Sequence, residues 1–207
     1  MGPRSEVDGA LRRRGLKRSS ALLAVLALLL AGCTGLFSGV FRQDDPRLIQ
    51  PVEPLYRLPL PRNRAHFLLV QGVGGAFSHS GDLTFAFDWA MPMRTPVPAA
   101  RDGEVIAARS EPDDRNVPFE ERVANYVRIR HEDGSVAVYA HLDTTTRRPG
   151  EFVRAGEAIG LSGNTGYSTQ PHLHFHVEKD GRSIPIAFFG TRDPDGVPRA
   201  GRLYRGN

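Results

Sequence analysis

The chain has a single cysteine and a single tryptophan among its 207 residues, and beyond its first segment it has no excess of either charge. One cysteine excludes an internal disulfide and any zinc finger built on paired thiolates. No window shows a convincing helical period beyond the N-terminal region, which excludes a helical bundle. The ten-residue apolar run over 21–30 falls short of the roughly 20 residues that a membrane-spanning helix needs. Residues 1–32 hold six basic side chains against two acidic ones, and the remainder holds 21 of each. The formal charge of +4 therefore belongs to the first segment, and the electrostatic case for a nucleic-acid partner disappears with it.

That first segment has the order of a secretory signal. A basic stretch, Arg12-Arg13-Arg14-Gly15-Leu16-Lys17-Arg18, precedes the apolar core over 21–30. The core ends in Leu30-Ala31-Gly32-Cys33, which resembles the lipobox of bacterial lipoproteins. The resemblance implies a signal peptide over 1–32 and a diacylglycerol on the Cys33 thiol, hence attachment to a membrane through lipid. Thr34 rather than Asp after the cysteine is similar to lipoproteins sent on to the outer membrane, facing the periplasm. Residues 33–62 repeat proline and lack periodicity, and they are expected to be an extended tether.

Short apolar runs recur after residue 62. They cover 67–70, 84–90, 104–108, 126–130, 136–142, 158–161 and 172–177. Val127-Arg128-Ile129-Arg130 alternates as a half-buried strand does, and Asp102-Gly103, Asp133-Gly134 and Asp180-Gly181 are hairpin signals. The expected fold is all-β, a compact antiparallel domain over 63–190 with a polar tail over 191–207. Residues 110–123 read as a surface insertion. Trp89 is expected in the core, and His131, beside Glu132-Asp133-Gly134, at an exposed hairpin turn.

Histidine carries the chemistry. His172, His174 and His176 are spaced by two, so on one strand they share a face. Adjacent members of that set are close enough to serve one metal. At roughly 3.3 Å per residue, His172 and His176 are about 13 Å apart and cannot share it.

Together with His79 and Asp88, the stretches Tyr139-Ala140-His141-Leu142 and Pro171-His172-Leu173-His174-Phe175 resemble the lysostaphin/LytM-type zinc metallopeptidases, peptidase family M23. Thr95-Pro96-Val97, the stretch from Ala100 to Val105, Val153-Arg154-Ala155-Gly156 and Gly163-Asn164-Thr165-Gly166 match as well. The resemblance implies a β domain with a metal site lining a groove. It makes His79, Asp88 and His174 ligands of Zn2+, and His141 and His172 the catalytic pair. It also implies an endopeptidase acting on the cross-links or stem peptides of bacterial peptidoglycan, with room for a protein activator. A non-catalytic peptidoglycan-binding scaffold or amidase activator of the same fold is the alternative. The sequence departs from the family at several points. His79 and Asp88 are nine apart rather than four, and Asp82 is a rival ligand. Asp88 is preferred for its distance to Thr95-Pro96-Val97. Arg94 and Gln170 stand where glycine is usual, and His176 where glutamate is frequent, all expected at the rim or just behind the site.

Overall fold

The computed structural model describes residues 44–112 and 116–207. Its strands are β1 (Pro54–Tyr56), β2 (Phe67–Gln71), β3 (Phe87–Ala90), β4 (Pro96–Pro98), β5 (Gly103–Arg109), β6 (Asn125–Arg130), β7 (Val136–Thr145), β8 (Phe152–Val153), β9 (Ala158–Ser162), β10 (His172–Lys179), β11 (Arg182–Ser183), β12 (Ala187–Phe188) and β13 (Leu203–Tyr204). Three short 3-10 turns are the only helical elements among the described residues, and no described helix is long and apolar enough to cross a membrane. The expected all-β antiparallel architecture is what forms. Cys33 and the signal over 1–32 lie outside the described residues.

The main sheet runs β13-β2-β3-β10-β7-β6-β5-β8, with β9 bridging β7 and β4, and β11 hairpinned to β10. Its backbone pairs are antiparallel. The alternating positions of β3 and β10 explain the layering. Phe87 and Trp89 of β3, with Leu173, Phe175 and Val177 of β10, are fully buried on one face. Trp89 stacks on Phe87 with ring centroids 5.6 Å apart, and Phe188 meets Trp89 edge-on at 5.9 Å. Such rings bury roughly 150–250 Å² each and dominate the stabilisation of a core this size. Residues between them in sequence, Asp88, His172, His174 and His176, necessarily take the opposite face.

Two segments differ from expectation. From residue 44 the proline-rich stretch is not a free tether. Tyr56, Leu58 and Leu60 are buried in the core, and β1 pairs in parallel with β12. The stretch after 190 is not a polar tail either. Val197 and Tyr204 are buried, β13 adds an edge to β2, and the Tyr204 hydroxyl donates to buried Asp193 at 2.7 Å. Neither segment has the continuous alternation that marks a strand, because each contributes only two or three apolar side chains to a core already formed by others.

His131 is a third difference. It is 3% exposed, and its Nδ1 lies 2.7 Å from the Asp102 carbonyl oxygen, to which it donates. Tyr56, from the segment read as a tether, covers it with ring centroids 5.6 Å apart. Burial pushes the His131 pKa down.

The chain cut to residues 63–190 is expected to be much less stable than residues 44–207. It loses Tyr56, Leu58, Leu60, Val197 and Tyr204, each contributing about 1.5–3 kcal/mol when buried. Thermal melts followed by circular dichroism should show a midpoint lower by about 10 °C or more. Equal midpoints would mean that these segments merely rest on the domain.

Candidate metal centre

The register of three strands assembles the site. Across β3 and β10, Asp88 lies directly opposite His174 and Ala90 opposite His172. Across β10 and β7, His174 lies opposite Ala140. His174 Nδ1 is 2.8 Å from Asp88 Oδ1, and His79 Nε2 is 3.1 Å from Asp88 Oδ2. One ligating atom from each of His79, Asp88 and His174 lies within 4.8 Å of the other two. All three residues are buried. Asp82, the rival, is instead exposed on the 3-10 turn Gly81–Leu83 and faces Arg182 at 3.5 Å.

His79 arrives from the loop between β2 and β3. Its Nδ1 donates to the Gly72 carbonyl at 2.8 Å, which leaves the lone pair on Nε2. That nitrogen is buried and makes no hydrogen bond, although a carboxylate oxygen faces it. Buried polar atoms are almost always satisfied. Lone pairs of two imidazoles and a carboxylate converging in this way suit a divalent cation such as a transition metal, with room for a further ligand.

Sequence reasoning missed Gln71, which ties the two sources of ligand together. Its Nε2 donates to Asp88 Oδ2 at 3.0 Å and to Ser78 Oγ at 2.8 Å. Its Oε1 accepts from the backbone of Phe77 at 3.0 Å and of Ser78 at 3.3 Å. The loop therefore reaches Asp88 through an amide rather than through short sequence spacing. Gly75 is required there, since a Cβ would collide with the Gln71 side chain. No motif pointed to Gln71; a polar residue ending an otherwise apolar strand was the available signal.

His141 and His172 sit side by side with ring centroids 4.5 Å apart, and His141 is 5.9 Å from the His174 ring. Each donates Nδ1–H to a backbone carbonyl at 2.8 Å, His141 to Thr165 and His172 to Gln170. Each therefore keeps an Nε2 lone pair. His172 Nε2 is 3.9 Å from Asp88 Oδ1. Burial, with His172 and His174 close by, pushes the His141 pKa down to about 3, and burial lowers that of His172. Burial alone would raise the Asp88 carboxyl, but His174 and His79 hold it well below the usual carboxylate range. His141 and His172 are therefore neutral imidazoles beside the ionised Asp88 carboxylate.

His141 reaches this position by a bulge. Asn125 pairs with Leu142 and Tyr126 with Ala140, so His141 is the extra residue of β7, and its φ is +63°. A left-handed non-glycine residue costs about 1–2 kcal/mol, and such strain gathers at functional sites. Thr165 fixes the bulge. Its hydroxyl donates to the Leu142 carbonyl at 2.8 Å and accepts from Asn125 N–H at 2.9 Å. Arg94 is also left-handed, at +63°, where the sequence comparison had expected glycine. Gln170 contributes its backbone carbonyl, so its side chain is immaterial to that contact. His176 is buried directly behind His174.

The bulge gives a prediction. His141→Gly and His141→Ala should both lack the imidazole, but the glycine variant should be about 1 kcal/mol more stable in urea denaturation. Identical stabilities would remove the strain at this position.

Residues 83–185 match the model of Peptidase family M23, and this stretch is an M23 family domain. Over 97 residues the chain is 39% identical to the peptidoglycan DD-endopeptidase ShyA of Vibrio cholerae, a match covering 47% of this chain and 20% of that protein. It is 37% identical over 109 residues to the DD-carboxypeptidase/endopeptidase Mpg of Neisseria gonorrhoeae, covering 51% and 22% respectively. The catalytic domain of the prophage-encoded M23 protein EnpA from Enterococcus faecalis aligns with a TM-score of 0.49 and 26% identity, over 64% of this chain and 98% of that one. The chain spans about a fifth of the length of the curated relatives it matches.

Proposed function

We propose that this protein, whose residues 83–185 form a peptidase M23 family domain, is a zinc-dependent endopeptidase acting on peptide cross-links or stem peptides of bacterial peptidoglycan. In this reading His79 Nε2, an Asp88 oxygen and His174 Nδ1 hold zinc, and His141 and His172 are the catalytic pair. The substrate class is supported by the relatives, which are named for peptidoglycan endopeptidase activity. The leader over 1–32 is removed, and a lipid on Cys33 holds the domain in the cell envelope, at the outer membrane and facing the periplasm.

The observation that carries the enzymatic reading is the pair of Nε2 lone pairs on His141 and His172 beside the ligand cluster. Here both Nδ1 atoms are committed to backbone carbonyls, and both Nε2 atoms remain for a substrate or water. When bound, zinc supplies Lewis acidity toward the scissile carbonyl and toward water. One of the pair then takes a proton at Nε2, and the other, once protonated, donates to the oxygen that gains charge. Lowered pKa values keep Nε2 of both imidazoles free of a proton at neutral pH, ready for the first of these roles.

The test is zinc stoichiometry together with fragment release from purified peptidoglycan. Alanine at His79, Asp88 or His174 should empty the site, because a three-ligand centre cannot spare one. Asp82→Ala should leave zinc in place. His141→Ala and His172→Ala should keep zinc but lower turnover by about 10²–10⁴-fold. A wild-type protein that binds zinc and peptidoglycan yet releases no fragments would be a scaffold.

A further inference from the structure

His174 is the one ligating imidazole whose tautomer the backbone does not set. Its two nitrogens face a carboxylate oxygen of Asp88 at 2.8 Å and Nδ1 of His176 at 3.0 Å. Two arrangements of protons on neutral rings satisfy the contact between His174 and His176. In one, His174 carries its proton on Nδ1 and gives it to Asp88, while His176 donates from Nδ1 to His174 Nε2. That arrangement removes the lone pair a metal needs. In the other, His174 carries its proton on Nε2 and donates it to His176 Nδ1, leaving its own Nδ1 lone pair facing the cluster.

A bias between them comes from further out on the same strand. His176 Nε2 is 3.4 Å from Glu178 Oε2, and Glu178 Oε1 is ion-paired with Arg128 of β6. A carboxylate held by a guanidinium accepts hydrogen bonds and cannot donate them. In the first arrangement His176 Nε2 would be bare and would face that carboxylate lone pair to lone pair, at a buried position. In the second, the contacts behind His174 each have one donor and one acceptor. The lone pairs of its Nδ1 and of the Asp88 oxygen then oppose each other, an opposition that a divalent cation held by both would relieve. Residues spaced by two on one strand make the line possible, since His174, His176 and Glu178 share a face.

We propose that Glu178, held by Arg128 and acting through His176, is a positioning residue that fixes His174 with its Nδ1 lone pair toward Asp88 and His79, and so sets the affinity of the site for a divalent metal. This deepens the reading of the site as a zinc centre and rests on it. Partners that orient ligating histidines typically contribute about 10–100-fold in metal affinity.

The experiment uses the whole protein and zinc itself, with affinity read by competition against a chromophoric chelator. Glu178→Gln, a change at a partly exposed position, should weaken zinc binding about 10-fold or more without lowering the thermal midpoint. His176→Glu places an acceptor-only group directly against His174, and it should retain zinc and make affinity indifferent to Glu178→Gln. Nitrogen-15 NMR of the zinc-loaded protein should show the His176 proton on Nε2 in the wild type and redistributed in Glu178→Gln. Unchanged affinity in Glu178→Gln, or a wild-type His176 protonated on Nδ1, would overturn the proposal. A wild type that binds no zinc would overturn the zinc reading itself.

Discussion

The arrangement on which the rest of this site depends is the antiparallel register that sets Asp88 against His174. A side chain's face along a strand is fixed by parity, so a slip of one residue would carry His172, His174 and His176 into the core and expose Leu173 and Phe175. The hydrophobic effect thus enforces the chemistry indirectly. Trp89, Phe87, Phe175 and Phe188 lock the register from below, and the polar residues between them have no alternative but the opposite face. The cost of gathering three histidines and a carboxylate away from water is offset by that core and by the hydrogen bonds each imidazole makes.

Around this frame, the remaining groups are brought in by devices of different kinds. His79 comes on a loop tied down by Gln71, so that its nine-residue distance from Asp88 in sequence costs nothing in space. His141 comes on a bulge whose backbone is strained and whose neighbours are pinned by Thr165. The same Thr165 supplies the carbonyl that orients the His141 ring, so the loop before β10 fixes both where the imidazole lies and which nitrogen carries its proton. Backbone carbonyls are well suited to this, because they accept hydrogen bonds and do not titrate.

Much of this was legible in the chain. The alternation of β6, β7 and β10 was visible because each is long enough to repeat, and the seven runs that signal strands correspond to β2, β3, β5, β6, β7, β9 and β10. The spacing by two of His172, His174 and His176 gave their common face. Six short strands were not legible, since two or three residues cannot display a period. His131 was misplaced for a related reason. Its burial comes from Tyr56, some 75 residues earlier, and no local pattern records a contact at that distance.

What the sequence by itself determined is the identity and parity of the chemical groups: which histidines share a strand face, which residue beside them is apolar, and that the domain is antiparallel β. Those properties follow from local alternation and are set wherever the strand goes. Only the tertiary structure decided which carboxylate joins the histidines, Asp88 rather than exposed Asp82, and which nitrogen of each ring faces inward. Both depend on partners brought together by folding: Gly72, Thr165 and Gln170 through their carbonyl oxygens, and Arg128 and Glu178 behind His176. A tautomer is chosen by the hydrogen bond at the far side of the ring, and that bond exists only once distant strands have met.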